Sequence, residues 1–404
     1  MNVWIICKYG SVPQDGYPTR HYFFAKYLAK NNVNVTLITS ASSVIYKKVK
    51  GFAEVKNIDG FKHILLKGPK IKLGINLKRI YSWFLFEYRL LRAPKKLKLQ
   101  KPDIVFVSSL SLLTVLSGIK FKKKFNAKLI FEIRDIWPLS LIDLHGFSPN
   151  HPITKILAWI EKKGYEKSDY LVSPLPLFYK HAEKILGHKV NFLYLPQGYD
   201  PEYYKETEPL PENIANQLPK DKFIAGFAGG IGKYQALHLA VEAARLLKNN
   251  KNIFIAIIGD GPLKQQLIQQ SKDLDNIVFL PKVKKTQVPD FLNKIDVALH
   301  LWLKRDIFKY GVFPNKWIDY MLAAKPIITA FDGYGGDLQK ANCAKFIPAE
   351  DPKALADAIV EFSQMPKDKL IQMGLNGKKY LEQNLTYEKI TNSLLNIMKQ
   401  LTNS

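Results

Sequence analysis

The sequence predicts an α/β protein with two doubly wound parallel sheets in tandem. Three observations lead there. Short apolar runs alternate with amphipathic helical stretches, the mark of parallel strands covered on both faces. That alternation stops at a Pro-rich polar segment and then restarts. The chain has 404 residues, 47% of them apolar, enough for two separate cores.

The first run, "VWIIC" (3–7), reads as a buried strand. A helix follows over "RHYFFAKYLAKN" (20–31), then a strand over "VNVTLIT" (33–39). Further strands are expected at "DIVFVSS" (103–109), "AKLIFEI" (127–133), "DYLVSP" (169–174) and "VNFLYLP" (190–196). The break is "PQGYDPEYYKETEPLPENIANQLPKD" (196–221), rich in Pro and polar residues. The pattern resumes with a strand at "FIAGFAGG" (223–230), a helix at 236–249 and a strand at "NIFIAIIG" (252–259). Strands at "NIVFL" (276–280), "DVALHLW" (296–302) and "AKFIPAE" (344–350) follow, with a helix near 286–293. From about 352 the chain reads as helical, opening on an Asp-Pro start signal. The domains are therefore expected at 1–196 and 222–384, both Rossmann-like. Residues 197–221 are a linker, and 385–404 form a last helix packing back on the first domain.

The net charge of +25 predicts attraction to phosphorylated ligands, anionic lipid or nucleic acid. No nucleic-acid-binding motif accompanies it, so no nucleic-acid partner is expected. Cys7 and Cys343 cannot make a disulfide framework, and a reducing cytosol suits them. No signal-peptide pattern and no long apolar run is visible, which predicts a cytoplasmic chain without a membrane span. Basic residues surround Trp83, Phe84 and Phe86 in 74–100, and Lys122, Lys123 and Lys124 follow. This pattern suits peripheral contact with an anionic membrane, at the inner face of the plasma membrane. It also suits an ordinary helix with a solvated face.

Three stretches carry candidate chemistry. In "FAGGIGKYQALHLA" (227–240) a strand meets a glycine loop and a helix. Gly229, Gly230 and Gly232 let a phosphate approach the backbone beside Lys233, or make a plain tight turn. "IIGDGP" (257–262), with Gly259, is a second strand-end turn beside the same cleft. In "KYGVFPNKWIDYMLAAKPIITA" (309–330), Pro314 suits a helix start, and Lys309 and Lys316 flank its free amides. Asp319, one turn in, suits a hydroxyl ligand better than an anion. In the first half, "FEIRDIWPLSLIDLHG" (131–146) sets Glu132, Arg134 and Asp135 at a strand end. The competing reading pairs Arg134 with one of those acids and leaves His145 solvated. No metal-binding or G-x-S-x-G pattern occurs, and no metal is expected.

Taken together, "FAGGIGKYQALHLAVEAARLL", "IIGDGPLKQQL", "GVFPNKWIDYMLAAKPII" and "FIPAEDPKALADAI" resemble, in order and spacing, the retaining GT-B glycosyltransferases of the GT4 type. "LPQGYDPEYY" resembles their interdomain signature and "EIRDIWP" a strand end of the acceptor domain. The resemblance implies two Rossmann-like domains with a deep cleft between them. It implies transfer of a hexose or N-acetylhexosamine from a nucleotide sugar, UDP-linked, to a lipid-linked or saccharide acceptor in surface-glycan assembly. No cofactor or metal is implied. Asp319 falls on the second acid of the E-x7-E motif, which holds the ribose. Gly311 replaces the first acid, so amides near Val312 and Phe313 would serve the sugar. Lys316 and Lys233 would meet the diphosphate, with Gly230, Gly259 and Asn315 around it. On the acceptor side Gly16, Arg134 and His145 are expected, with Asp135 as the catalytic residue that orients or deprotonates the acceptor hydroxyl. Loss of the acid at 311 leaves open a catalytically silent binder of sugar nucleotide or partner. An epimerase-like or phosphorylase-like GT-B enzyme is a further alternative.

Overall fold

The computed structural model describes residues 1–15, 19–42, 46–71, 76–109 and 111–403. The chain divides into two compact units, Met1–Gly198 with Tyr387–Ser404, and Tyr199–Thr386.

The first unit runs β1 (Asn2–Ile6), α1 (Arg20–Lys30), β2 (Asn34–Ser40), β3 (Ala53–Ile58), β4 (Phe61–Leu66), α2 (Leu77–Lys96) and β5 (Ile104–Ser108). It continues with α3 (Thr114–Phe125), β6 (Lys128–Glu132), α4 (Leu139–His145), α5 (Pro152–Lys167), β7 (Tyr170–Ser173), α6 (Phe178–Leu186) and β8 (Phe192–Tyr194). The strands form one sheet in the order β3-β4-β2-β1-β5-β6-β7-β8. All neighbours are parallel except β3 with β4. Val3 to Ile6 and Ile104 to Val107 are buried because helices cover both faces of these central strands. The β3–β4 hairpin is absent from the sequence reading. β3 is an edge strand, "AEVKNI", with no fully buried residue, so it carries no apolar run to notice.

The second unit contains α7 (Glu212–Ala215), β9 (Phe223–Ala228), α8 (His238–Leu246), β10 (Ile253–Ile258), α9 (Lys264–Gln270), β11 (Ile277–Leu280) and α10 (Val288–Asn293). Then come β12 (Val297–Leu301), α11 (Asn315–Leu322), β13 (Ile327–Ala330), α12 (Gly336–Ala341), β14 (Ala344–Ile347), α13 (Pro352–Gln364) and α14 (Lys367–Asn384). Its parallel sheet is ordered β11-β10-β9-β12-β13-β14, so the winding direction reverses between β9 and β12. Phe227, Ile255, Leu299, Ile328 and Ile359 fill its core. Helix α13 begins as the Asp-Pro signal implies: the Asp351 carboxylate accepts from the Ala354 amide at 2.9 Å, and Pro352 opens the helix.

Residues 199–221, read from sequence as linker, group with the second unit instead. The Leu210 amide donates to Asp290 (2.8 Å), and Thr286 donates to Glu208 (2.9 Å). Polar composition here reflects an extended segment hydrogen-bonded along a surface. The last helix, α15 (Tyr387–Asn403), belongs to the first unit and packs against α1. There the Tyr387 ring stacks on Phe23 at 4.5 Å. Among the described residues no helix is long and apolar enough to cross a membrane.

Candidate functional site

In a doubly wound sheet, the point where winding reverses opens a crevice at the carboxyl ends of the strands. In the second unit that point lies between β9 and β12, and the turn after β9 forms one wall. Its glycines have distinct reasons. Gly229 and Gly259 have φ of 151° and 150°. A Cβ on Gly259 would stand 1.9 Å from the Gly229 carbonyl oxygen, and one on Gly261 would stand 2.3 Å from that of Ile231. The two strand-end turns therefore lie backbone against backbone, joined by the Ile231 amide donating to Asp260 O (2.9 Å). Gly230 is different: a Cβ there meets nothing within 4 Å. It faces open space, where a ligand can approach its backbone.

Helix α11 forms the facing wall. Pro314 precedes it with φ of −72°. The Lys316 ammonium lies 3.9 Å from the Phe227 ring centre and points to Gly229. Burial pulls this ammonium down to about 7, against the opposing attraction of Asp319. Burial pushes the Asp319 carboxyl up, and Lys285 and Lys316 hold it back. Asp319 is ion-paired to Lys285, whose ammonium also lies 5.3 Å from the Tyr204 ring centre. A cavity of about 680 Å³ opens beside this pair, lined by Tyr203, Tyr204, Lys285, Thr286, Asp319 and Lys378. That volume is in the range of small-molecule sites. Tyr320 ties the walls: its hydroxyl accepts from the Ala228 amide and donates to Leu299 O, both at 3.2 Å.

The other expected donor residues fall around this frame. Val312 and Phe313 are buried, with the Phe313 ring 5.5 Å from Trp317. Gly311 adopts φ of 87°, a left-handed conformation that a side chain strains. Asn315 and Lys233 are exposed. Gln235 closes the glycine turn by accepting from the Gly232 amide at 3.1 Å. Sequence reasoning missed Lys285 and Tyr320. Their link to Asp319 and to β9 spans 34 and 92 residues, and no local motif signals it. It also missed His300, held by Thr329 at 2.7 Å and kept neutral by burial and by Lys316.

In the first unit, the expected pairing of Arg134 with an acid is not what the structure shows. Glu132 turns to α1, where Arg20 (2.8 Å) and His21 (2.6 Å) hold it. Those contacts keep its carboxyl far below the usual range despite burial, and Cys7 and Glu132 together raise His21 to about 9 against the burial that lowers it. Arg134 Nε and Nη1 are buried without a hydrogen-bond partner. Asp135, next in the chain, is exposed at the carboxyl edge of β6. His145 ends α4 and is exposed. Gly16 lies outside the described residues. Lys122, expected as a free surface charge, pairs with Asp169 at 2.7 Å. Trp83 is partly buried and donates to the Tyr9 hydroxyl at 2.6 Å.

Comparison with known proteins places the second unit in a family. Residues 211–380, the greater part of the second unit, match the family described as "Glycosyl transferases group 1". The second unit is a group 1 glycosyltransferase domain. The transferase is 26% identical over 332 residues to "Probable glycosyltransferase WbjE" of Pseudomonas aeruginosa, covering 77% of each chain. It is 27% identical over 191 residues to "Putative colanic acid biosynthesis glycosyl transferase WcaI" of Escherichia coli strain K12, 45% of each. In fold it resembles a sucrose-phosphate synthase from Thermosynechococcus elongatus (TM-score 0.75, 15% identity, 99% of this chain and 98% of that one). It also resembles Anabaena HepE in complex with UDP-glucose (TM-score 0.66, 12% identity, 99% and 100%).

Proposed function

We propose that the transferase moves a hexose or N-acetylhexosamine, with retention, from a UDP-linked donor to a lipid-linked or saccharide acceptor in surface-glycan assembly. The observation that carries this is the placing of Lys316 on the first turn of α11 against the Gly229 turn at the β9/β12 reversal, with Asp319 one turn on, paired to Lys285 beside the cavity. The names of the relatives support the pathway class, and the UDP-glucose complex of HepE supports the donor class.

The chemistry follows from charge. The bond from the anomeric carbon to the diphosphate oxygen breaks, and UDP leaves with the electron pair. Lys316 and the amides at the start of α11 meet the growing negative charge. A diphosphate beside Lys316 restores the proton that burial loosens. Asp319 accepts from the ribose hydroxyls in place of Lys285. Amides near Val312 and Phe313 serve the sugar, since Gly311 supplies no carboxylate. Asp135 takes the proton of the acceptor hydroxyl as the new carbon–oxygen bond forms, and Arg134 and His145 line the acceptor side. In this reading fixed cations do the work of a metal, and the enzyme works peripherally at the inner face of the plasma membrane. Gly311 favours a second reading, a silent binder of UDP-sugars. A donor panel with a polyprenyl-linked acceptor tests both. Sugar transfer with UDP release supports the first; tight UDP-sugar binding without release supports the second.

A further inference from the structure

Helices α2, α3 and α5 lie on one face of the first unit's sheet, with α3 packed against both others. Each follows a parallel strand and so starts at the sheet's carboxyl edge. Leu77, Tyr81, Phe84 and Tyr88 recur on α2 at steps of four, three and four. They make one stripe, and all are between 51% and 84% exposed. Ile153, Ile156 and Trp159 repeat this on α5 at steps of three, with similar exposure. The inward face of α2 is already complete with Phe86, Leu90 and Ala93. These exposed side chains are therefore surplus to the core.

Basic residues run the length of the same helices, with Lys78 and Arg79 on α2 and Lys155 on α5 in the halves nearer the carboxyl edge. All of the exposed apolar side chains but Tyr88 stand on those halves. The far halves carry Arg89, Arg92, Lys95 and Lys96 on α2, Lys120, Lys123 and Lys124 on α3, and Lys162, Lys163 and Lys167 on α5. The acids turn away: Glu87 accepts from Thr114 and Ser117, and Glu161 is buried with Tyr165 and His181. Glu166 alone faces out, 3.9 Å from Lys162. Basic residues near helix ends also suit the helix dipole, but that account leaves the apolar stripes unexplained.

We infer that this helix layer docks on an anionic phospholipid bilayer. Leu77, Tyr81, Phe84, Ile156 and Trp159 enter the headgroup region, and the lysines and arginines of the same helices meet lipid phosphates. The carboxyl edge with Arg134 and Asp135 then lies close to the bilayer, where a lipid-linked acceptor is presented. A second copy of this chain fits poorly, because it would bring an equally basic face. This deepens the proposed peripheral reading by assigning the contact to a surface, and it moves the contact away from Trp83 and Lys122.

The experiment is flotation of the full-length chain with phosphatidylcholine vesicles, with and without phosphatidylglycerol, at low and high salt. The expected result is binding to the anionic vesicles that salt weakens. Tyr81→Ser/Phe84→Ser/Trp159→Ser, at exposed positions, should keep the thermal midpoint and lose at least tenfold in binding. Lys123→Gln should lose about fivefold. No association with anionic vesicles, or equal association of the triple variant, overturns the inference. So does a dimer in sedimentation that the triple variant disperses. UDP affinity, measured on the same samples, reports the donor site independently of either outcome.

Discussion

Lys285 grips the carboxylate of Asp319 across the loop that leads into α10. The same carboxylate is the group proposed to accept the donor's ribose hydroxyls. Lys285 opposes the rise that burial imposes on the Asp319 carboxyl, and on the proposed reading it yields when ribose arrives.

Asp319→Ala should weaken UDP binding by roughly 2–4 kcal/mol, two hydrogen bonds to a charged acceptor. The fold should survive, since Asp319 is partly exposed. Calorimetry with UDP checks this, and unchanged affinity removes Asp319 from the site.

Lys285→Met tests the grip. Without the ammonium, the Asp319 carboxyl rises further, because only Lys316 still holds it down. The loss of UDP affinity on acidification should then begin at higher pH than in the parent. Stability should change by no more than about 1 kcal/mol, as the pair is part-exposed. Titrating UDP at several pH values decides; superimposable profiles would show that Lys285 does not govern Asp319.

The glycine turns give a paired prediction. Gly259→Ala drives a Cβ to 1.9 Å from the Gly229 carbonyl oxygen at φ of 150°. It should lower the unfolding midpoint and UDP affinity together. Gly230→Ala meets no protein atom. It should leave the midpoint within about 0.5 kcal/mol and lower UDP affinity alone. Equal UDP affinity in Gly230→Ala and the parent would mean that no ligand approaches that backbone.

Glu132 carries the strongest stability prediction. Glu132→Gln leaves the buried cations Arg20 and His21 without their acid. Breaking such a pair costs about 3–5 kcal/mol. Thermal unfolding followed on the first unit's transition checks it; a shift equivalent to less than about 1 kcal/mol would contradict the contacts described.

These cases separate what the sequence discloses from what it hides. Buried parallel strands such as β1, β5, β9 and β10 announce themselves as apolar runs, because both faces are covered. The places of Gly230 after β9 and of Lys316 and Asp319 on the first turns of α11 were legible because strand-end turns and helix starts are set by local sequence. The β3–β4 hairpin was not, since an edge strand needs no apolar face. Nor was the partner of Glu132. As the last residue of β6 it faces α1, and Arg20 and His21 lie 112 and 111 residues earlier. The nearby Arg134 looked the better partner only because it is adjacent in sequence. Lys285 escaped for the same reason, being joined to Asp319 by folding and not by spacing.

The last prediction concerns pH and Lys316. Its ammonium is lowered to about 7 by burial, against an ordinary value of 10.5. In the free enzyme at pH 8 the group is therefore mostly neutral, while an unfolded chain would keep it charged. Between about 7 and 10.5 the unfolded state binds more protons, so this group's contribution to stability grows as pH rises. Lys8, buried and also lowered to about 7, acts in the same direction. Ligand binding runs the other way. A diphosphate favours the ammonium, so UDP should bind with proton uptake at pH 8, and its affinity should fall as pH rises above 7. Lys316→Met should abolish the uptake, and it should flatten part of the alkaline rise in the unfolding midpoint. Lys8→Met should flatten that rise too but leave the uptake intact. Calorimetry in two buffers of different ionisation enthalpy measures the uptake. Equal uptake in the parent and Lys316→Met would place the diphosphate away from Lys316.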